Sequence, residues 1–136
     1  VAAVLKALGT TLDQLIESAD EEDVVIRPQA SPDGPLTVWL LSRERAANGV
    51  TVAKMRISPD RPTSVDDMVV HPGRDWFFVL SGTAMLRLGD RTMLVAEGEA
   101  AEFSTMTPHV VGAHGGPVEI LTILEHAGEQ SHLHHP

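Results

Sequence analysis

The stretch that most constrains this chain is His71-Pro72-Gly73-Arg74-Asp75-Trp76-Phe77-Phe78-Val79-Leu80-Ser81-Gly82. It opens as a polar loop, becomes a short apolar run rich in aromatic residues, and stops at a glycine. A run of this length and composition, bounded by turn residues, argues for a strand. Alternation puts Asp75, Phe77 and Val79 on one face and Trp76, Phe78 and Leu80 on the other. With apolar residues on both faces, the strand is expected to be buried on both sides, as in the core of a sandwich or barrel. Asp75 then sits among apolar side chains, four positions after His71. A carboxylate so placed needs a partner or has its pKa raised.

The rest of the chain repeats the strand-and-turn pattern. Strands are expected at Val24-Val25-Ile26-Arg27, Leu36 to Leu41 and Val50 to Ile57. After Gly82 they are expected at Thr83 to Leu88, Arg91 to Ala96, Ala100 to Phe103, Val110 to Ala113 and Val118 to Leu124. Turns are marked by Pro32-Asp33-Gly34, Asn48-Gly49, Gly89-Asp90, Glu97-Gly98-Glu99 and Gly115-Gly116-Pro117. About ten short strands at regular spacing indicate an all-β sandwich or barrel and not a βαβ fold. Ser58 to Arg74 is a long connection with three prolines, and loops of that length are often functional.

The organising stretch resembles the first motif of the cupins: His-x-His, three or four residues, Glu, six residues, Gly. His71 falls on the second histidine, Asp75 on the glutamate and Gly82 on the glycine, while Val69 stands where the first histidine is expected. Phe103-Ser104-Thr105-Met106-Thr107-Pro108-His109 resembles the approach to the single histidine of the second motif, and Ala113 replaces the asparagine expected four residues later. The resemblance spans roughly residues 50 to 125 and implies a double-stranded β-helix, a jelly-roll barrel.

It also implies that both motifs meet inside the barrel, where cupins bind a divalent metal through three histidines and a glutamate. This chain keeps His71, Asp75 and His109. Two histidines and one carboxylate are enough for iron(II) with open positions; manganese, nickel and zinc are the other candidates. Asp reaches about 1.5 Å less than Glu on a rigid strand, whereas metal–oxygen bonds tolerate errors of only about 0.2 Å. The competing reading is a barrel that has lost its metal and kept a polar pocket. There His71 and His109 hydrogen-bond a ligand, or Asp75 pairs with Arg74 or His71. Phe77, Val79, Met55, Ile57 and Trp39 are candidate pocket walls, since ligand pockets are mostly apolar. His114 and His126 lie outside both motifs and are expected to be exposed or structural.

Residues 1–17 read as two short helices. Val1, Val4, Leu5 and Leu8 follow helical spacing, Gly9 suits a helix end, and Thr11 with Gln14 forms a capping box. Ala7-Leu8-Gly9-Thr10-Thr11-Leu12-Asp13-Gln14-Leu15-Ile16 resembles the closing phrase of a phage-repressor-like (XRE-type) helix-turn-helix domain. That phrase stands just before a cupin in one group of transcription regulators. Residues 18–23 form an acidic linker, 24–127 the barrel, and 128–136 a flexible tail with His132, His134 and His135. The chain begins at Val1 in what reads as mid-helix, so it is expected to be part of a longer protein.

The net charge of −9 and scattered basic residues make this segment a poor binder of phosphate backbones by itself. No cysteine is present, which excludes disulfides and thiolate metal sites and suits a reducing cytoplasm. No apolar run approaches a membrane span, and neither a Gly-x-Ser-x-Gly serine nor a phosphate-cradling loop occurs. The function implied is a small-molecule-sensing domain of a DNA-binding transcriptional regulator, reading DNA through a helix-turn-helix mostly absent from this chain. A metal-dependent enzyme, such as a dioxygenase or isomerase, and a non-catalytic binding barrel are the alternatives. No catalytic residue is assigned. A homodimer is expected, from the resemblance and from the apolar Trp76 face, since aromatics are enriched at interfaces.

Overall fold

The structure, a computed structural model, describes residues 24–43 and 49–125. The expected helices of residues 1–17, the acidic linker, His126 and the histidine tail lie outside the described residues. Those described form nine strands: β1 Ser31–Asp33, β2 Leu36–Leu40, β3 Val50–Ile57, β4 Arg74–Ser81, β5 Thr83–Leu88, β6 Arg91–Ala96, β7 Ala100–Ser104, β8 His109–Ala113 and β9 Val118–Glu125. Two antiparallel sheets result, one in the order β1-β2-β3-β9-β4-β7 and the other β6-β5-β8. This is a jelly-roll barrel, as expected.

The alternation within β4 decides what faces inward. Phe77 and Val79 are buried, while Trp76 and Phe78 are half-buried and Leu80 is 40% exposed. The strand is therefore buried on one face only, because no second layer among the described residues covers its outer side. Pairing carries the same parity across the sheet: Phe77 opposite Thr122, Ala53 opposite Thr122, and Ile57 opposite Val118. Between the sheets, Ile57, Phe77, Val79, Leu86, Val118 and Ile120 form the core.

Turn chemistry sets where strands end. Gly82 has φ 83°, and a Cβ there would lie 2.5 Å from the Pro117 carbonyl oxygen. Only glycine meets both demands without strain, which gives the motif's last position a backbone reason. Gly98 (φ 83°) turns β6 into β7, and the Glu99 carboxylate accepts a hydrogen bond from the Ala96 N–H at 2.7 Å.

One expected strand is absent. Val24 to Arg27 forms no ladder among the described residues, and Val24 and Val25 are 63% and 53% exposed. Apolar β-branched composition alone does not make a strand, because β-propensity depends on context. The first strand is instead Ser31–Asp33, paired with β2 across a turn at Gly34, whose φ is 58°.

Candidate functional site

The two histidine-bearing segments are stitched together through their backbones. Val69 and His109 exchange both N–H···O bonds, at 3.0 and 3.1 Å. The His71 N–H donates to the Thr105 carbonyl at 2.9 Å, and the Thr105 N–H donates to the Gly73 carbonyl at 3.1 Å. Gly73 has φ 124°, and a Cβ there would collide with the Glu125 carbonyl oxygen. That close approach lets the loop turn His71 back over the end of the barrel while Asp75 enters on β4.

His71, Asp75 and His109 consequently meet. Their candidate donor atoms all lie within 4.8 Å of one another. The two imidazole rings stand edge to face with centroids 5.1 Å apart. His109 is buried, Asp75 half-buried and His71 exposed, so the cluster runs from the barrel interior to its mouth. The Asp75 carboxylate faces the His109 ring, with Oδ2 3.8 Å from Nε2. The expected pairing of Asp75 with Arg74 is not made: Arg74 turns outward to Glu102 at 3.6 Å.

The tautomer of His109 follows from its other nitrogen. Nδ1 lies 2.8 Å from the Thr107 carbonyl oxygen. A carbonyl only accepts, so Nδ1 carries the proton. In the neutral ring Nε2 then presents a lone pair toward the Asp75 carboxylate, also an acceptor. Nε2 and the carboxylate are thereby placed as two donor atoms for a cation between them. The same N–H-to-carbonyl bond orients metal-binding histidines in general.

The donor set fits a divalent ion in kind and nearly in spacing. Two donors about 2.1 Å from an ion are at most about 4.2 Å apart. The 3.8 Å between Nε2 and Oδ2 is within that limit, and the 4.8 Å span of the trio exceeds it slightly. The trio is thus slightly open for an ion, with the Asp75 carboxylate within reach of His109.

These groups line a cavity of about 250 Å³ whose walls include Met55, Ile57, Phe77, Phe103, Ile120 and Leu124. Met55, Ile57 and Phe77 lie where the sequence placed them. Two other expected walls do not reach it. Val79 is fully buried in the core, two residues further down β4. Trp39 pairs with Lys54 on the outer face of the sheet, and the Lys54 ammonium lies over its ring at 4.6 Å. His114 is exposed and outside the cluster, as expected.

Arg61, Asp67 and Thr122 also line the cavity and were not singled out in the sequence. The Arg61 Nη1 donates to the Val111 carbonyl at 2.8 Å. Burial lowers the pKa of its guanidinium, and the Asp67 charge acts in the opposite direction. Arginine stays cationic under either influence. Asp67 is itself held by Ser64, whose hydroxyl and N–H donate to Oδ2 at 2.7 and 2.8 Å. Those bonds, the hydroxyl's first, keep the Asp67 carboxyl below its ordinary value. Thr122 could have been found from parity, because it alternates with Ile120 and Leu124 on β9. Arg61 had no such signal.

Comparison with known proteins agrees with this geometry. No curated protein sequence matches the chain. Among solved structures, it resembles hydroxypropylphosphonic acid epoxidase from S. wedmorenis (TM-score 0.62, 19% identity, 76% of this chain and 60% of the other). It also resembles an iron(II) form of HppE (0.61, 17%, 76% and 60%). A third likeness is to an HTH_3 family transcriptional regulator from Vibrio cholerae (0.58, 16%, 67% and 51%). The chain thus spans little more than half the length of either kind of protein. At these identities the likeness is one of fold. Residues 54–124, more than half of the chain, match the Cupin domain family. With two histidine-bearing motifs joined at the mouth of a jelly roll, this chain belongs to the cupins.

Proposed function

We propose that this domain takes a small molecule into the cavity beside His71, Asp75 and His109, over a divalent ion held by those three residues, and serves as the sensing part of a DNA-binding regulator. The observation that carries the reading is His109 Nε2 facing the Asp75 carboxylate, beside His71, within an apolar-walled cavity. Convergent polar groups in an apolar pocket are the usual form of a ligand site. The resemblance of residues 1–16 to the end of a helix-turn-helix domain and the fold likeness to a regulator support the regulatory half. A ligand would act by binding the two states of the whole protein unequally. Two experiments test this. A metabolite screen should find a ligand that raises Tm, since whatever binds the native state stabilises it. The reading frame upstream of Val1 should encode a helix-turn-helix domain, and the longer protein should bind DNA specifically. Lack of specific DNA binding would end the regulatory reading.

A second reading is a metal-dependent enzyme. It is favoured by the donor set itself, because two histidines and one carboxylate leave coordination positions open. A bound iron(II) would supply oxygen-activating or Lewis-acid chemistry there. Asp75 and His109 would hold it from inside the barrel, His71 from the mouth, and the apolar walls would exclude water. This reading requires an activity lost in both His71→Ala and His109→Ala.

A homodimer is proposed through the outer face of β4, where Trp76, Phe78 and Leu80 present apolar surface to a second copy. Leu80→Lys should convert the dimer to a folded monomer in sedimentation, and an unchanged sedimentation coefficient would remove β4 from the interface.

A further inference from the structure

Arg61 stands in the cavity for a reason that its structural bond does not exhaust. β8 is an edge strand of its sheet. Its free side is paired by Val69 at His109 and by the Arg61 guanidinium at the Val111 carbonyl. A guanidinium has five N–H donors in a planar fork, and among the described residues a single hydrogen bond holds this one, from Nη1. No carboxylate lies within 4.0 Å of it among the described residues. Asp67, the nearest candidate counter-charge, spends one oxygen on Ser64 instead.

The fork is thus fixed by a backbone contact, half-buried, and part of the cavity lining. Val111 and His109 are two residues apart on β8, about 7 Å along the strand. Apolar side chains such as Phe77, Phe103 and Ile120 line the same cavity. The cavity therefore has a guanidinium with the Ser64-bound Asp67 carboxylate near it, apolar walls, and a His–Asp–His cluster.

We infer that the small molecule this cavity takes is an amphipathic acid whose carboxylate, phosphate or phosphonate is received by Arg61 while its apolar body lies toward Phe77 and Phe103. Oxyanions of this kind match the guanidinium fork bidentately. The inference rests on the ligand-pocket reading above and adds the charge of the occupant. A neutral or cationic occupant would leave the donors of the guanidinium other than Nη1 unused by the ligand.

The test uses the full chain treated with EDTA, so that an ion at the histidines does not itself attract the acid. Hexanoate and hexylphosphonate are titrated against hexanamide and 1-hexanol, with binding followed by ligand-observed NMR and calorimetry. The acids should bind at least tenfold more tightly than their neutral counterparts. In Arg61→Gln, which keeps a donor for the Val111 carbonyl, acid binding should weaken by roughly 10- to 100-fold while neutral binding is unchanged. Arg61→Lys should recover part of the loss, and far-UV circular dichroism of both variants confirms the fold. Acids and neutral compounds binding alike, or acid affinity untouched in a folded Arg61→Gln, would overturn the inference and leave the pocket reading standing. No binding by either class at millimolar concentration would overturn both.

Discussion

The two ends of the barrel are built on the same strands by the same alternation, yet they differ in what the inward positions carry. At the closed end, Ile57 on β3, Val79 on β4 and Val118 on β9 are all fully buried, at 0% exposure. At the open end, the same strands and face carry Thr51, Asp75 and Leu124, with His109 entering on β8. Aliphatic residues alone close one end, while Thr51, Asp75 and His109 join Leu124 where the other opens. Parity alone therefore identifies the inner face but not the site. The site is where inward parity and polarity coincide, and where two loops are tied together by backbone hydrogen bonds.

The contrast can be broken from the closed end first. Leu86→Ala, at a position 2% exposed, should cost about 2–5 kcal/mol in urea denaturation. Asp75→Asn at the open end should cost less than that, because it leaves no apolar void. If Asp75→Asn were the more damaging, the open end would be structural and not reserved for a ligand.

Gly82→Ala comes next. It combines a positive φ with a Cβ facing the Pro117 carbonyl, and should cost about 1–3 kcal/mol. A cost near zero would mean that the β4–β5 turn relaxes freely, and the closed end would be less rigid than its packing implies.

The smallest effect sharpens the open end. The Asp67 carboxyl is held below its ordinary value by the Ser64 hydroxyl and N–H. A depressed folded pKa contributes stability that is present above the unfolded value, about 3.9, and lost as pH falls through the folded value. Ser64→Ala removes the hydroxyl's share, so the Asp67 titration followed by NMR should move upward. No movement would mean that the backbone N–H alone holds it.

Much of this was legible before the structure. β3, β5 and β6 occupy the spans read from alternation and turn residues, and the inward set Asp75, Phe77 and Val79 came from parity on a single strand. The failures share a cause. Val24 to Arg27 looked like a strand by composition, but strand formation also depends on pairing, which is a property of the whole sheet. Trp39 was placed in the cavity because β2 is apolar on both faces. Its face is settled only by its pairing with Lys54. Val79 had the right parity and the wrong depth, since distance along the barrel axis depends on register between strands. Arg61 was invisible because it acts through a long connection whose path over β8 no local pattern encodes. The shorter side chain of Asp75 relative to glutamate does not keep the three residues apart: their donor atoms lie within 4.8 Å of one another, where Gly73 brings the loop close to Glu125.

The most direct measurement is metal content after reconstitution of a chain ending at Ala127, which removes the histidines of the tail. Iron(II), manganese, nickel and zinc would each be offered under non-oxidising conditions, and bound metal read by mass spectrometry. The expected result is one ion per chain for at least one metal, lost in His109→Ala and in Asp75→Asn with the fold intact. No stoichiometric binding by any of the four, or binding that survives both substitutions, would contradict a divalent ion at His71, Asp75 and His109.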